Sequence, residues 1–337
     1  MLQYIKDKFL KEPELIKTFL EHYDYHHIVI KQSYITFARS ADSSPKSITI
    51  YLQDNDALIV KDWARNLSAD IFNYVIKEKG VSFKEVIQYA KTLVGIEGYY
   101  QKEEGSRKAF NGFYSKIKNR NKVNLKIYDD SILDKYIPCG NRRFLNDGIS
   151  LKAQRCFNIG YDAESQAISI PIYSEDGSLI GVKFRVNHEV EDGEQKYYYD
   201  VPCQMSCTLY GYAQNYQYLE SNDVIIFEAE KSVLQSRTMK IYNTVALGSS
   251  SISKKQCQMI LSLNPKRVIF CLDKGLDFEV LKRNMRALRV YGKMKEFDIL
   301  YWKPKDDVPD KSSPSDLGEK KFRKILEEDL IIYEESI

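Results

Sequence analysis

Apolar positions change their spacing along the chain, and each spacing predicts a different kind of element. The first 97 residues open with helical periodicity (Leu2, Ile5, Phe9, then Leu15, Ile16, Phe19, Leu20). They pass through short alternating runs such as SITIYLQ and ALIVKDW and close on the helix-like FNYVIKEKG and FKEVIQYAKTLVG, which predicts a small α+β module over residues 1–100. Residues 126–221 read as strand-rich: ISIPIY and IGVKFRV flank SEDGSL, a hairpin with Asp-Gly in its turn, and KYYYD and TLYGY add strand-like pieces. From residue 222 short apolar strands alternate with helices. VIIFE is followed by a helix from about Lys231, TVALG by a helix over Ser253–Leu263, RVIFCLD by a helix over Phe278–Val290, and FDILYW closes the series. This alternation predicts a parallel sheet flanked by helices over 222–305, followed by an acidic loop and a C-terminal helix in 306–337.

Composition narrows the class. With 337 residues, 43% hydrophobic and 29% charged, the chain can bury one large core or two to three modest ones. No apolar stretch approaches the roughly 20 residues that cross a bilayer, and MLQYIKDKFLKEPE carries charges where a signal peptide is apolar, so a cytoplasmic protein without membrane contact is expected. Six cysteines, at 139, 156, 203, 207, 257 and 271, are too scattered for a disulfide framework. The net charge of +3 does not by itself imply a polyanion partner. Charge is concentrated in residues 101–125, where seven basic residues (Lys102, Arg107, Lys108, Lys116, Lys118, Arg120, Lys122) face only Glu103 and Glu104. Such a run is a basic linker, either solvated or laid on a phosphate backbone.

In parallel sheets the chemistry lies beyond the carboxyl ends of the strands. Two of those ends carry acids, Glu228 after VIIF and Asp273 after VIFCL, and a third strand leads into the acid-rich loop KDDVPDKSSPSD. Any one such acid alone is best read as a solvated cap. Several converging on one sheet edge suit Mg²⁺, a hard cation that takes oxygen ligands and keeps waters for substrate phosphates to replace. The absence of a P-loop disfavours a nucleotide-driven motor.

These segments resemble a family. FEAEKS with its strand is similar to the glutamate motif of TOPRIM domains, VIFCLDKGLD to their aspartate motif, and DKSSPSD to the downstream acidic loop of DnaG-type primases. Upstream, YIPCGNRRF, DGISLKAQRCFNIGYD, ISIPIYSEDGSLIGVKFRVN, QKYYYD and LYGY follow the order of the primase core that precedes TOPRIM, as in phage- and plasmid-borne members, so the resemblance covers about residues 136–317. It implies an α/β TOPRIM domain preceded by a strand-rich α+β primase subdomain. It implies that Glu228 is the metal-linked or acid/base glutamate and Asp273 the first metal-binding aspartate, with Mg²⁺ or Mn²⁺ as cofactor. Arg185 and Lys196 then hold a nucleoside triphosphate or the template, with Arg142, Arg143 and Lys183 along the same groove, and Asp316 and Asp310 are the acids of the downstream loop. The chain also departs from the family pattern. Gly275 stands where a second aspartate belongs, leaving Asp277 as the nearby substitute, and Ser232 and Ser312 replace two further acids.

The N-terminal module resembles the zinc ribbon of such primases in strand and turn order, yet no cysteine precedes Cys139. His22, His26 and His27 alone do not make a sulfur-rich site, so no zinc is expected, with Trp63 and Arg65 packing in its place or touching template. Tyr197, Tyr198 and Tyr199 are expected to split between a core face and a groove face. The implied function is a DNA primase making short primers from NTPs on single-stranded DNA, with a replicative helicase as candidate partner and the cellular primases' helicase-binding domain expected to be absent. The alternatives are a non-catalytic TOPRIM nucleic-acid-binding or replisome-scaffold protein and a TOPRIM nuclease.

Overall fold

The alternation of apolar and polar positions becomes three sheets in a computed structural model, which describes residues 1–43, 47–53, 55, 57–96, 125–190, 194–292 and 296–334. The basic run at 101–125 lies almost wholly outside the described residues. Two helices, Leu2–Lys11 and Pro13–His22, lead into β1 (His26–Ile30), β2 (Tyr34–Ala38), β3 (Ile48–Tyr51), β4 (Ile59–Asp62) and β5 (Leu67–Asp70), an antiparallel meander in sequence order. Helices Ile71–Lys79 and Phe83–Leu93 follow, the first capped by the Asp70 carboxylate and ended by Gly80 at φ 68°. A second antiparallel sheet is formed by β6 (Gly160–Asp162), β7 (Ala167–Tyr173), β8 (Leu179–Val186) and β9 (Tyr197–Val201). The Asp-Gly turn joins β7 to β8, with Gly177 at φ +79°, where a glycine costs least.

The third sheet holds β10 (Val224–Phe227), β11 (Thr244–Ala246), β12 (Arg267–Phe270), β13 (Asp298–Trp302) and β14 (Leu330–Ile332) in the order β11-β10-β12-β13-β14. Its first four strands are parallel and β14 is antiparallel on the edge. Period-two alternation divides these strands between two cores. Val224, Ile226, Val268, Phe270 and Ile299 enter one, and Ile225, Phe227, Ile269, Cys271, Leu300 and Trp302 enter the other. A strand apolar on both faces is at home only inside a covered sheet.

The first core is shared with the N-terminal module. Leu2, Ile5, Phe9, Phe19, Phe72 and Val86 belong to the same buried cluster as the sheet residues just named. Buried polar ties reinforce the junction. Lys6 pairs with Asp70 at 2.6 Å, the Tyr216 hydroxyl donates to the same Asp70, and Asn73 donates to Glu220 at 3.2 Å. Lys91 pairs with Asp176 in the β7–β8 turn at 2.7 Å, and the rings of Phe83 and Tyr216 meet at 4.5 Å.

Three expectations change. TLYGY is not a strand: Tyr210 makes one isolated bridge to Ala246, and Gly211 at φ +84° begins helix Tyr212–Leu219. The predicted parallel sheet gains an antiparallel edge because the chain turns back after helix Glu319–Glu328. Trp63 does not fill a core: it is 59% exposed, with its indole N–H donating to Thr49 and Lys61 over its ring at 5.8 Å, while Arg65 pairs with Glu78. His22 stacks on Tyr89, His26 lies beside Asp24, and His27 bonds the Ala41 carbonyl. Among the described residues no helix is long and apolar enough to cross a membrane.

Candidate active site

β10 and β12 are parallel neighbours with Ile226 opposite Phe270, so Glu228 and Asp273 leave the sheet at the same edge. Adjacent strands stand about 4.8 Å apart, which places the two acids side by side. A third acid is brought in by the loop after β13. The Lys274 amide donates to the Ser312 carbonyl at 2.9 Å, the Lys311 amide donates to the Lys274 carbonyl at 3.0 Å, and the Lys274 ammonium binds the carbonyls of Asp306 and Val308. These bonds staple the loop to the segment after Asp273, and Asp316 follows in the short helix Pro314–Leu317.

Each carboxyl feels the others. Burial, then the charges of Glu228 and Asp316, push Asp273 up to about 6 against the opposing pull of Lys231. Burial also raises Glu228. For Asp316 burial acts upward too, but the Lys231 ammonium and the Gln235 amide outweigh it and hold the group below the usual carboxylate range. One oxygen of Asp273 is buried without a hydrogen-bond partner.

Asp316, by contrast, is saturated. It accepts from Lys231 at 2.6 Å, from Gln235 at 3.0 Å and from the Ser313 amide at 3.1 Å. Around it runs a chain of hydroxyls: Ser232 to Ser313 at 2.9 Å, Ser313 to Ser315 at 2.8 Å, and Ser315 to Gln235 at 2.7 Å. Ser232, one of the positions where the resembled family carries an acid, is thus part of a neutral buried network. Gly275, another of them, sits at φ +96°, a conformation an aspartate adopts only with strain.

A cationic patch adjoins the acids. Lys196 is lowered by burial and then by the charges of Arg185, Lys231 and Arg143, partly offset by Asp147. Arg185 pairs with Asp147, Arg143 with the exposed Glu189 at 3.1 Å, and Gln235 bridges the Asp147 carbonyl to Asp316. The Nε atoms of Arg143 and Arg185 are buried without partners. Tyr197 forms the floor of this patch, with Lys183 over its ring at 4.8 Å and Arg185 and Lys196 at 5.9 Å. Tyr198 turns the other way and packs on Phe184, and Tyr199 shares the first direction and is 38% exposed.

Not every predicted site residue joins this centre. Asp277 caps helix Phe278–Tyr291 by accepting from the Glu279 amide, and Asp310 is exposed and lies 3.7 Å from Lys274. Neither is among the charges acting on Asp273. Lys183 is committed to both oxygens of buried Glu230 at 2.9 and 3.0 Å, which makes it a strut between β8 and helix Glu230–Thr238. Arg142 is exposed on helix Arg142–Asn146. Lys231 and Gln235 were missed. Their one signal is spacing, since positions four apart in helix Glu230–Thr238 share a face.

Among the described residues no group of three or more His, Cys, Asp or Glu is arranged to close round a metal ion. Mg²⁺ does not require such a cage, being commonly held by one or two carboxylates plus water and substrate phosphate. The orphaned oxygen of Asp273 beside Glu228 fits that two-carboxylate arrangement, whereas Asp316 has its acceptor positions filled.

No family model matches the chain. The SPbeta prophage-derived uncharacterized protein YorJ of Bacillus subtilis (strain 168) is 25% identical over 301 residues, 76% of this chain and 78% of that protein. Among solved structures, the DnaG catalytic core has a TM-score of 0.48 at 18% identity, covering 60% of this chain and 79% of that one. The DnaG primase catalytic domain bound to ssDNA has a TM-score of 0.47 at 18% identity over 60% and 77%. The Aquifex aeolicus primase, with its zinc-binding and RNA polymerase domains, has a TM-score of 0.46 at 17% identity over 96% and 82%. All three scores stand below 0.5, so the site is interpreted from this chain's own strands and side chains.

Proposed function

We propose that this chain is a TOPRIM-type nucleotidyltransferase that makes short primers on single-stranded DNA, with Glu228 and Asp273 holding Mg²⁺ or Mn²⁺. The observation that carries this reading is the pair of half-buried acids on adjacent parallel strand ends beside Asp316, which Gln235 and Asp147 link to the patch of Arg143, Arg185 and Lys196. A cation depressed by burial and by its neighbours' charges is relieved by a bound anion, and a triphosphate or template backbone supplies one. A divalent ion, when bound, lowers the pKa of the attacking hydroxyl and neutralises charge at the phosphate. The protein's own part is positioning. Glu228 and Asp273 fix the charge at the sheet edge, Lys196 and Arg143 orient phosphates, and Tyr197 braces Lys196 and Arg185 from beneath. The 3′-hydroxyl of one nucleotide then attacks the α-phosphate of the next, a phosphodiester forms, and pyrophosphate leaves.

The test is incorporation of labelled NTPs on single-stranded DNA with Mg²⁺ or Mn²⁺. Asp273→Asn is expected to reduce incorporation by about 100-fold or more. Full synthesis by the Asp273 variant would refute this site. Intact single-strand binding without synthesis by wild type would favour a scaffold, and metal-dependent degradation without NTPs a nuclease.

A further inference from the structure

The carboxylates at the sheet edge are unequal in a way that bears on how many ions they hold. One oxygen of Asp273 is buried without a hydrogen-bond partner, while Asp316 accepts from Lys231, Gln235 and the Ser313 amide. The difference is Lys231. Its ammonium lies 2.6 Å from Asp316 and its side chain is 24% exposed. It projects from the first turn of helix Glu230–Thr238, where the aligned peptide dipoles add positive potential in the same direction. Its neighbour Glu230 is neutralised by Lys183 and adds nothing to the account.

Counted as formal charges, three carboxylates less one ammonium leave a deficit that a single divalent cation fills. The hydroxyl chain Ser232–Ser313–Ser315 occupies the other side of Asp316 and brings no further negative charge. Gly275 contributes no ligand from the opposite loop.

We propose that Lys231 is a built-in substitute for a second metal ion: the site takes one divalent cation at Glu228 and Asp273, and the Lys231 ammonium, held by Asp316, supplies the second positive charge toward the substrate phosphates. This rests on the nucleotidyltransferase reading and specifies its electrostatics. In two-ion sites the pair clamps the attacking and leaving oxygens. Here a fixed lysine takes one side of the clamp, in a geometry set by Asp316, Gln235 and the Ser313 amide.

The experiment is Mn²⁺ binding to the full chain, followed by EPR of free Mn²⁺ and by calorimetry, without NTP or DNA. Wild type is expected to bind one ion. Lys231→Met frees Asp316 and is expected to bind a second, whereas Lys231→Arg keeps the charge and binds one. Folding of each variant is checked by its thermal transition, and Glu228→Gln controls for the first ion. Two ions on wild type overturn the proposal and leave the nucleotidyltransferase reading standing. One ion on both wild type and Lys231→Met also overturns it. Wild type binding none removes the metal reading and this inference with it.

Discussion

At the residue scale, burying Asp273 beside two other acids costs stability. The folded Asp273 carboxyl titrates near 6, against 3.8 for the ordinary group, because burial and two neighbouring acids oppose its charge. Between those values the folded chain holds a proton that the unfolded chain has released. Stability of the metal-free protein therefore falls as pH rises through this window and stays reduced above it. Asp273→Asn removes the penalty. Urea titrations in chelator are expected to show the variant more stable than wild type at about pH 8 and the two converging below the window. Parallel profiles at all pH values would contradict the assigned environment. A second residue test concerns Lys183. Lys183→Met leaves Glu230 buried and unpaired, so it is expected to cost about 3–5 kcal/mol in urea unfolding, and a stable variant defective only in nucleotide binding would return Lys183 to the groove.

At the element scale, much was legible and the reason is periodicity. VIIF, RVIF and FDILYW are apolar on consecutive positions, which only a sheet covered on both faces accommodates, and the acids at their ends follow from strand polarity. What could not be read is whatever depends on a loop's path. The saturation of Asp316 requires the bonds between Lys274 and residues 311 and 312, two segments far apart in sequence, so Lys231 looked like an ordinary helix lysine. Asp277 has a local role instead, as a helix cap that accepts from the Glu279 amide. TLYGY failed because Gly211 at positive φ turns an apparent strand into a helix start. The N-terminal elements depend on a similar long-range pairing. Lys6→Met strands the Asp70 carboxylate with the Tyr216 hydroxyl and its helix-cap bond, and about 3–5 kcal/mol of stability is expected to be lost. A loss below 1 kcal/mol, read from urea midpoints at constant m-value, would mean that the pair is dispensable.

For the molecule as a whole, the N-terminal module and the parallel sheet have one continuous core. Lys91 with Asp176, Asn73 with Glu220 and Phe83 with Tyr216 cross the junction as well. The exposed Trp63 with Lys61 is therefore carried at a fixed place relative to Glu228 and Asp273. Calorimetry is expected to show a single unfolding transition for the two parts together, and residues 126–337 alone, with Tyr216, Glu220 and Asp176 deprived of their N-terminal partners, are expected not to fold cooperatively. Two separated transitions would contradict this. We propose above that the paired strand-end carboxylates support template-directed nucleotide joining. Its most direct measurement is oligonucleotide synthesis on single-stranded DNA with Mn²⁺ and labelled NTPs, comparing wild type with Glu228→Gln at matched thermal stability. Short products from wild type that vanish in the variant are the expected result. Equal product from both, or none from wild type despite binding of Mn²⁺ and template, would contradict the account.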